Sequence, residues 1–234
     1  MFRFKQFNVD QAGCAMKINT DGVLLGALAE TDQPKTILDI GTGTGVIALM
    51  LAQRFADATI DAVEIDETAS ATAKRNFAGS SFARRLSLYA DSFENHLSNY
   101  PDKKYDLIVS NPPFYINSLE SPGARKSLAK HTDQQFFETL IKTIAKHLTA
   151  QGSFWLILPL ETAQLAKDIS SKHGLNIQKV IKVLSYPGSV PHREILVLTL
   201  GKKRETDEQF VIYAEPKVYS EQYQTILKPF FTIF

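Results

Sequence analysis

The chain is poor in cysteine: Cys14 is the only one among 234 residues. An internal disulfide is therefore impossible, and a cysteine-rich zinc site is excluded. Long apolar runs are missing too. Stretches such as 46–52 fall far short of the roughly 20 residues that span a bilayer. Met1-Phe2-Arg3-Phe4-Lys5 offers no apolar core of a signal peptide. The expectation is a cytoplasmic protein with no membrane association. Nor does one sign of charge dominate, since 26 Lys and Arg against 25 Asp and Glu leave a net charge of +1. No global field draws such a chain to nucleic acid, so any such binding must use local patches. There are no internal repeats and no low-complexity segments. What is present is ordinary globular composition, 44% hydrophobic and 22% charged. The length suits one α/β domain with a large core, with room for a small extension.

From Thr36 onward, β-branched apolar runs alternate with helical patterns. Strands are expected at 36–40, 59–64, 86–89, 105–110 and 153–158, and helices at 46–55, 67–77, 93–99, 133–148 and 161–173. Thr132 or Asp133 is the expected cap of the fourth helix. Such alternation predicts a parallel sheet with helices on both faces. Strands at 176–184 and 194–200 have no helix between them, so they should pair antiparallel. Upstream, residues 2–9 alternate as a strand does, with 15–18 as a candidate partner, and Thr20-Asp21 offers an N-cap for a helix over 23–29. Downstream, 210–213 reads as a strand and 219–234 as an aromatic-rich helix. Residues 115–131 show no periodicity and read as a loop, long enough to be functional or mobile. The domain reading is 1–33 as an N-terminal extension over the site, 34–200 as the main domain and 201–234 as a C-terminal extension packed on it.

Two constellations carry chemistry. The first is Asp39-Ile40-Gly41-Thr42-Gly43-Thr44-Gly45, which follows a strand and opens a helix, the context of a nucleotide-binding turn. Glycines let the backbone turn tightly and let a ligand approach it. The spacing Gly-x-Gly-x-Gly differs from the Gly-x-Gly-x-x-Gly of dinucleotide folds, and without a following Lys-Ser/Thr it is no P-loop. Asp39 suits the ammonium of an amino-acid-bearing cofactor better than a pyrophosphate. Glu64 ends the second strand about 20 residues beyond the glycines, where an acid accepts from ribose hydroxyls. Asp66 is its competitor, and a plain turn and a solvated carboxylate are the alternatives for the glycines and for Glu64. Asp91, with Ser92 beside it, suits either the amino group of an adenine or the cap of the next helix.

The second constellation is Asn111-Pro112-Pro113-Phe114, directly after the strand at 105–110. Proline has no N–H for a ladder and pushes the preceding residue out of the helical region. Asn111 is thus expected at the carboxyl end of a central strand, its amide held in a stiff turn with a ring behind it. A side-chain carbonyl, rigid backbone carbonyls and a flat ring suit a planar group that bears an NH2. The alternative is a plain loop with Phe114 in the core.

In this order, Asp-x-Gly-x-Gly-x-Gly, Glu, Asp and Asn-Pro-Pro-Phe, the chain resembles the class I S-adenosylmethionine-dependent methyltransferases that modify exocyclic amines. Phe4-Lys5-Gln6-Phe7, Asp10-Gln11, Cys14-Ala15-Met16-Lys17, Thr20-Asp21-Gly22-Val23-Leu24-Leu25-Gly26-Ala27 and Pro191-His192-Arg193 make it similar to the bacterial tRNA1(Val) adenosine-37 N6-methyltransferase family over nearly its whole length. The resemblance implies a Rossmann-like α/β fold with a seven-stranded, mostly parallel sheet whose last strand is antiparallel. It implies S-adenosylmethionine as cofactor, no metal, tRNA as partner and no obligate protein partner.

By the same resemblance, Asp39, Gly41, Gly43 and Gly45 hold the methionine half of the cofactor, Glu64 its ribose, and Asp91 and Ser92 its adenine. Lys17, Thr20 and Asp21 close over it. Asn111 and Pro112 accept the hydrogens of the target amine, Pro113 stiffens the turn, and Phe114 stacks on the base. Members of the family often carry tyrosine at that last position, so here the ring is kept and a hydroxyl lost. Arg125, Lys126, Lys130, His131, His192 and Arg193 are the candidates for RNA phosphates, with Lys202-Lys203-Arg204 beyond them. For each cluster a solvated charged face is the alternative. Other planar amines fit the same motif: a protein glutamine amide N5, guanine N2 in ribosomal RNA, or adenine N6 in DNA. A non-catalytic RNA- or metabolite-binding module is the further alternative. A nicotinamide dehydrogenase is disfavoured by the glycine spacing.

Overall fold

The computed structural model describes residues 1–112, 124–202 and 204–234, and of residues 124–133 the backbone alone. The opening segment does not form one strand paired with 15–18. Instead β1 (Phe2–Arg3) pairs antiparallel with β2 (Asn8–Val9). Two apolar residues three apart face the same side only if the chain turns between them. Phe4 and Phe7 do this: both are buried, stacked at 4.4 Å, and the Phe4 N–H bonds the Phe7 carbonyl at 2.9 Å. Helix α1 (Thr20–Leu28) is capped by Asn19, whose Oδ1 accepts from the Gly22 N–H at 2.9 Å, rather than by Thr20 or Asp21. Asn is as good a cap as Asp or Thr, and here it stands one residue earlier.

One sheet organises the rest. Its strands are β3 (Thr36–Ile40), β4 (Thr59–Glu64), β5 (Leu86–Ala90), β6 (Tyr105–Ser110), β7 (Leu148–Leu158), β8 (Asn176–Leu184), β9 (Arg193–Thr199) and β10 (Thr206–Val211). They lie in the order β10-β8-β9-β7-β6-β3-β4-β5. All ladders are parallel except those of β9, which runs antiparallel to both β7 and β8. The sheet has eight strands, not seven. Because β9 inserts between β7 and β8, the outer edge of β8 stays open, and β10 covers it. A strand is expected at 210–213, but β10 begins earlier, because four exposed polar residues precede the buried Phe210 and carry no strand signal.

Helices α2 (Val46–Arg54), α3 (Glu67–Ala78), α4 (Phe93–Asn99), α5 (Ala124–His147) and α6 (Leu160–Lys172) cover the two faces. Strand residues alternate between them, so both faces are buried and the strands read as nearly continuous apolar runs. Ile37, Leu107, Val109, Trp155 and Ile157 join α1 and α2 in one core. Leu38, Ile108, Phe154 and Leu156 join Phe137, Leu140, Ile141 and Ile144 of α5 in the other. Helix α5 begins at Ala124, inside the stretch that reads as a loop, and runs through Thr132 and Asp133. Over 124–133 the sole large apolar residue is Leu128, so no apolar stripe marks the helix there.

The tail forms a hairpin of β11 (Tyr213–Glu215) and β12 (Val218–Tyr219), then the short α7 (Glu221–Leu227). Pro229 follows, and the expected helix over 219–234 ends before it. Among the described residues no helix is long and apolar enough to cross a membrane.

Candidate active site

The loops after β3, β4, β5 and β6 meet at the carboxyl edge of the sheet, where open α/β sheets bind ligands. Backbone bonds hold them together. The Gly41 N–H donates to the Val63 carbonyl at 2.9 Å, and the Asp91 N–H to the Glu64 carbonyl at 3.1 Å. Ser110 Oγ donates to the Ile40 carbonyl at 3.0 Å, tying the end of β6 to β3.

Gly41, Gly43 and Gly45 have φ of +69°, +57° and +83°. The first two face open space, where a Cβ would meet nothing within 4 Å. Gly45 differs, because a Cβ there would lie 2.5 Å from the Phe77 ring. It lets α3 pack against the start of α2. Gly45→Ala is expected to cost about 2–4 kcal/mol in a urea unfolding curve, from left-handed strain and the clash together.

Asp39 lies behind this loop, fully buried. Its Oδ2 accepts from Thr42 Oγ1 at 2.6 Å and from the Ala48 N–H at 3.1 Å. Its Oδ1 is buried with no hydrogen-bond partner among the described residues. Burial pushes the carboxyl up to about 7, against the pull of the Thr42 and Ala48 bonds and with a small push from Glu64. An unpartnered buried carboxylate oxygen fits a cationic ligand group.

Glu64 is fixed by two backbone donors, Gly43 N–H to Oε2 at 2.8 Å and Asp66 N–H to Oε1 at 2.9 Å. Asp66 in turn caps α3 through the Ala69 N–H at 2.7 Å. Asp91 Oδ1 accepts from the Ser92 N–H at 2.7 Å and from Asn95 Nδ2 at 3.1 Å, while Ser92 Oγ caps α4 at the Asn95 N–H.

A cavity of about 460 Å³ brings Gly41, Gly43, Glu64, Asp91, Ser92, Asn111 and Pro112 together, with Cys14, Ala15 and Met16 on the N-terminal side. A smaller recess of about 40 Å³ adjoins it, where Lys17, Asn19 and Gly22 meet Gly41 to Thr44 and Asn111. Asn111 is buried, and its Oδ1 also lacks a partner among the described residues. Its Nδ2 faces the first turn of α1, 3.7 Å from where a Cβ on Gly22 would stand.

The other expected residues fall elsewhere. Thr20 lines a separate depression. Asp21 accepts from Arg193 Nε at 2.8 Å, so this carboxylate is engaged with the chain itself. Burial and the neighbouring Arg193 hold His192 below the usual imidazole range, leaving it neutral at pH 7. Pro113, Phe114 and Lys203 lie outside the described residues, as do the side chains of Arg125, Lys126, Lys130 and His131 in the first turns of α5.

Ile65 and Phe136 are among the lining residues that the sequence reading missed. Ile65, beside Glu64, is 74% exposed, and an apolar side chain just past a strand end is the signal that was available. Phe136 of α5 meets Phe93 edge-on at 6.0 Å, and both line the cavity. Phe136 looked like ordinary helix core.

The sequence model of the methyltransferase small domain family matches residues 17–173. A protein of Pedobacter heparinus is 48% identical over 100% of this chain and 98% of its own, and one of Bacteroides thetaiotaomicron is 40% identical over 98% and 96%. Both are named tRNA1(Val) (adenine(37)-N6)-methyltransferase. The chain belongs to this methyltransferase family. Solved structures share the fold. A predicted O-methyltransferase of Agrobacterium tumefaciens superposes with a TM-score of 0.70 at 17% identity, covering 90% of this chain and 96% of that one. A methyltransferase of Pyrococcus furiosus gives 0.55 at 22% identity, covering 82% and 91%. The methyltransferase small domain match leaves β1, β2 and everything from β8 onward outside it, whereas the relatives align with these parts as well.

Proposed function

We propose that this methyltransferase transfers a methyl group from S-adenosylmethionine to the exocyclic N6 of an adenosine in tRNA, namely adenosine 37 of tRNA1(Val). The observation that carries the reading is the buried, unpartnered Oδ1 of Asn111 in the cavity that the glycine loop lines. The full-length similarity to relatives of that name supports the choice of substrate.

In this reading Asp39 Oδ1 and the open backbone at Gly41 and Gly43 take the amino-acid end of the cofactor. Glu64 accepts from its ribose, and Asp91, Ser92, Ile65 and Phe136 surround its adenine. S-adenosylmethionine, when bound, supplies a methyl carried on a cationic sulfur. The lone pair of an adenine amine is delocalised into the ring and attacks carbon poorly. Asn111 Oδ1 and the Pro112 carbonyl accept the two amine hydrogens and draw the nitrogen toward tetrahedral geometry, which frees its lone pair. Preorganised acceptors and positioning account for the rate, and the proton leaves to solvent. An enzyme acting on tRNA works where tRNA is, so the cytoplasm is the proposed location.

The test is a labelled-methyl transfer assay with the purified protein on tRNA and on total protein. Label recovered as N6-methyladenosine is expected. Label on a glutamine amide, on guanine N2, or on nothing would overturn the reading.

A further inference from the structure

A second depression, of about 350 Å³, lies between the N-terminal hairpin and the C-terminal segment. Phe2 and Arg3 form one wall, and Tyr219, Tyr223 and Phe231 the other. That second wall is stiff. Tyr219 is sandwiched between Tyr213 at 5.2 Å and 19° and Tyr223 at 4.6 Å and 9°. Ile233 at the rim is 66% exposed. The Arg3 side chain is exposed and makes no hydrogen bond or ion pair among the described residues.

This depression shares a wall with the candidate active site. Ile18 and Asn19 line the depression and also the recess that holds Asn111 and the glycine loop. Its two walls come from residues outside the methyltransferase small domain match at 17–173. On a chain of net charge +1, an unpaired guanidinium beside an apolar slot is a local departure from a neutral surface.

We propose that this depression is a second nucleotide site, which takes one unstacked base of the tRNA next to the methylated adenosine and places the adjoining phosphate on Arg3. The inference rests on the reading of the substrate as tRNA. A base that enters the cavity at Asn111 must leave its stack, and its neighbour then loses a stacking partner. The partly exposed rings of Phe2 and Phe231, with Ile233, cover the face so exposed, independently of base identity. The guanidinium fork suits the phosphate between the two nucleotides.

The test uses the full chain and a tRNA transcript. Arg3→Glu is expected to raise the tRNA Kd about tenfold and to lower the salt slope by about one, with Arg3→Lys retaining most of the affinity. Ile233→Asp is expected to weaken tRNA binding as well. Cofactor affinity stays unchanged in all three variants, which a general loss of folding would not allow. A photoreactive 4-thiouridine beside the target adenosine should crosslink to peptides containing Tyr219 or Phe231. Wild-type tRNA affinity in both Arg3→Glu and Ile233→Asp would overturn the proposal, as would crosslinks confined to the Asn111 cavity. Methylation of the same transcript by the wild-type protein reports on the reaction itself, so a failed second site is distinguished from a failed substrate assignment.

Discussion

Asn111→Ala is expected to lower turnover by about 100-fold or more while the cofactor Kd stays within about twofold of wild type. The asymmetry follows from where the side chain stands. Its Oδ1 has no hydrogen-bond partner among the described residues, so it makes no bond there whose loss would destabilise the fold, and deleting it removes an acceptor from the lining of the cavity. The side chain is buried with Nδ2 facing the start of α1, so a small loss of stability accompanies the change. A single-turnover measurement at saturating cofactor separates the chemical step from binding. Turnover at the wild-type rate would remove the role assigned to Asn111.

The second large effect concerns Asp39. Its carboxyl sits at about 7 in the folded chain, above its ordinary value of 3.8. Folding therefore favours the protonated form. The stability this contributes is fully present below pH 3.8 and is lost as pH rises through 7, by up to about 4 kcal/mol at 1.36 kcal/mol per unit. A cationic ligand at Oδ1 reverses the preference. Cofactor affinity should then fall as pH drops below 7, by up to about tenfold per unit. Asp39→Asn is expected to flatten both profiles and to weaken the cofactor by roughly 10–100-fold at pH 8. Calorimetry from pH 5.5 to 8.5, paired with thermal melts of the cofactor-free protein, reads both. A wild-type affinity independent of pH over that range would dissociate Asp39 from the cofactor.

The central strands were legible because they are buried on both faces. Residues such as Ile37, Leu38 and Ile40 in β3 leave few other readings, and the observed bounds of β3, β4, β6 and β8 are the expected ones. The glycine loop and Asn111 were legible for a different reason. Backbone conformation carries them, and glycine and proline constrain backbone in ways a sequence displays. What was not legible depends on partners distant in the chain. The Asp21–Arg193 pair joins residues 172 apart, and nothing local to either side chain announces it. Strand β10 starts four residues before the strand expected at 210–213, along the open edge of β8, and its leading polar residues say nothing of that edge. The hold of one Asp39 oxygen on Thr42 and the start of α2 has no local signal either. Its second oxygen has no partner among the described residues.

The account turns on whether this chain places a methyl on the N6 of one tRNA adenosine. Nucleoside mass spectrometry of tRNA1(Val) purified from cells with and without the gene measures that directly. Disappearance of N6-methyladenosine from position 37 when the gene is removed, and its return when the wild-type protein but not Asn111→Ala is supplied, is the predicted result. An unchanged N6-methyladenosine content in the cells that lack the protein would contradict it.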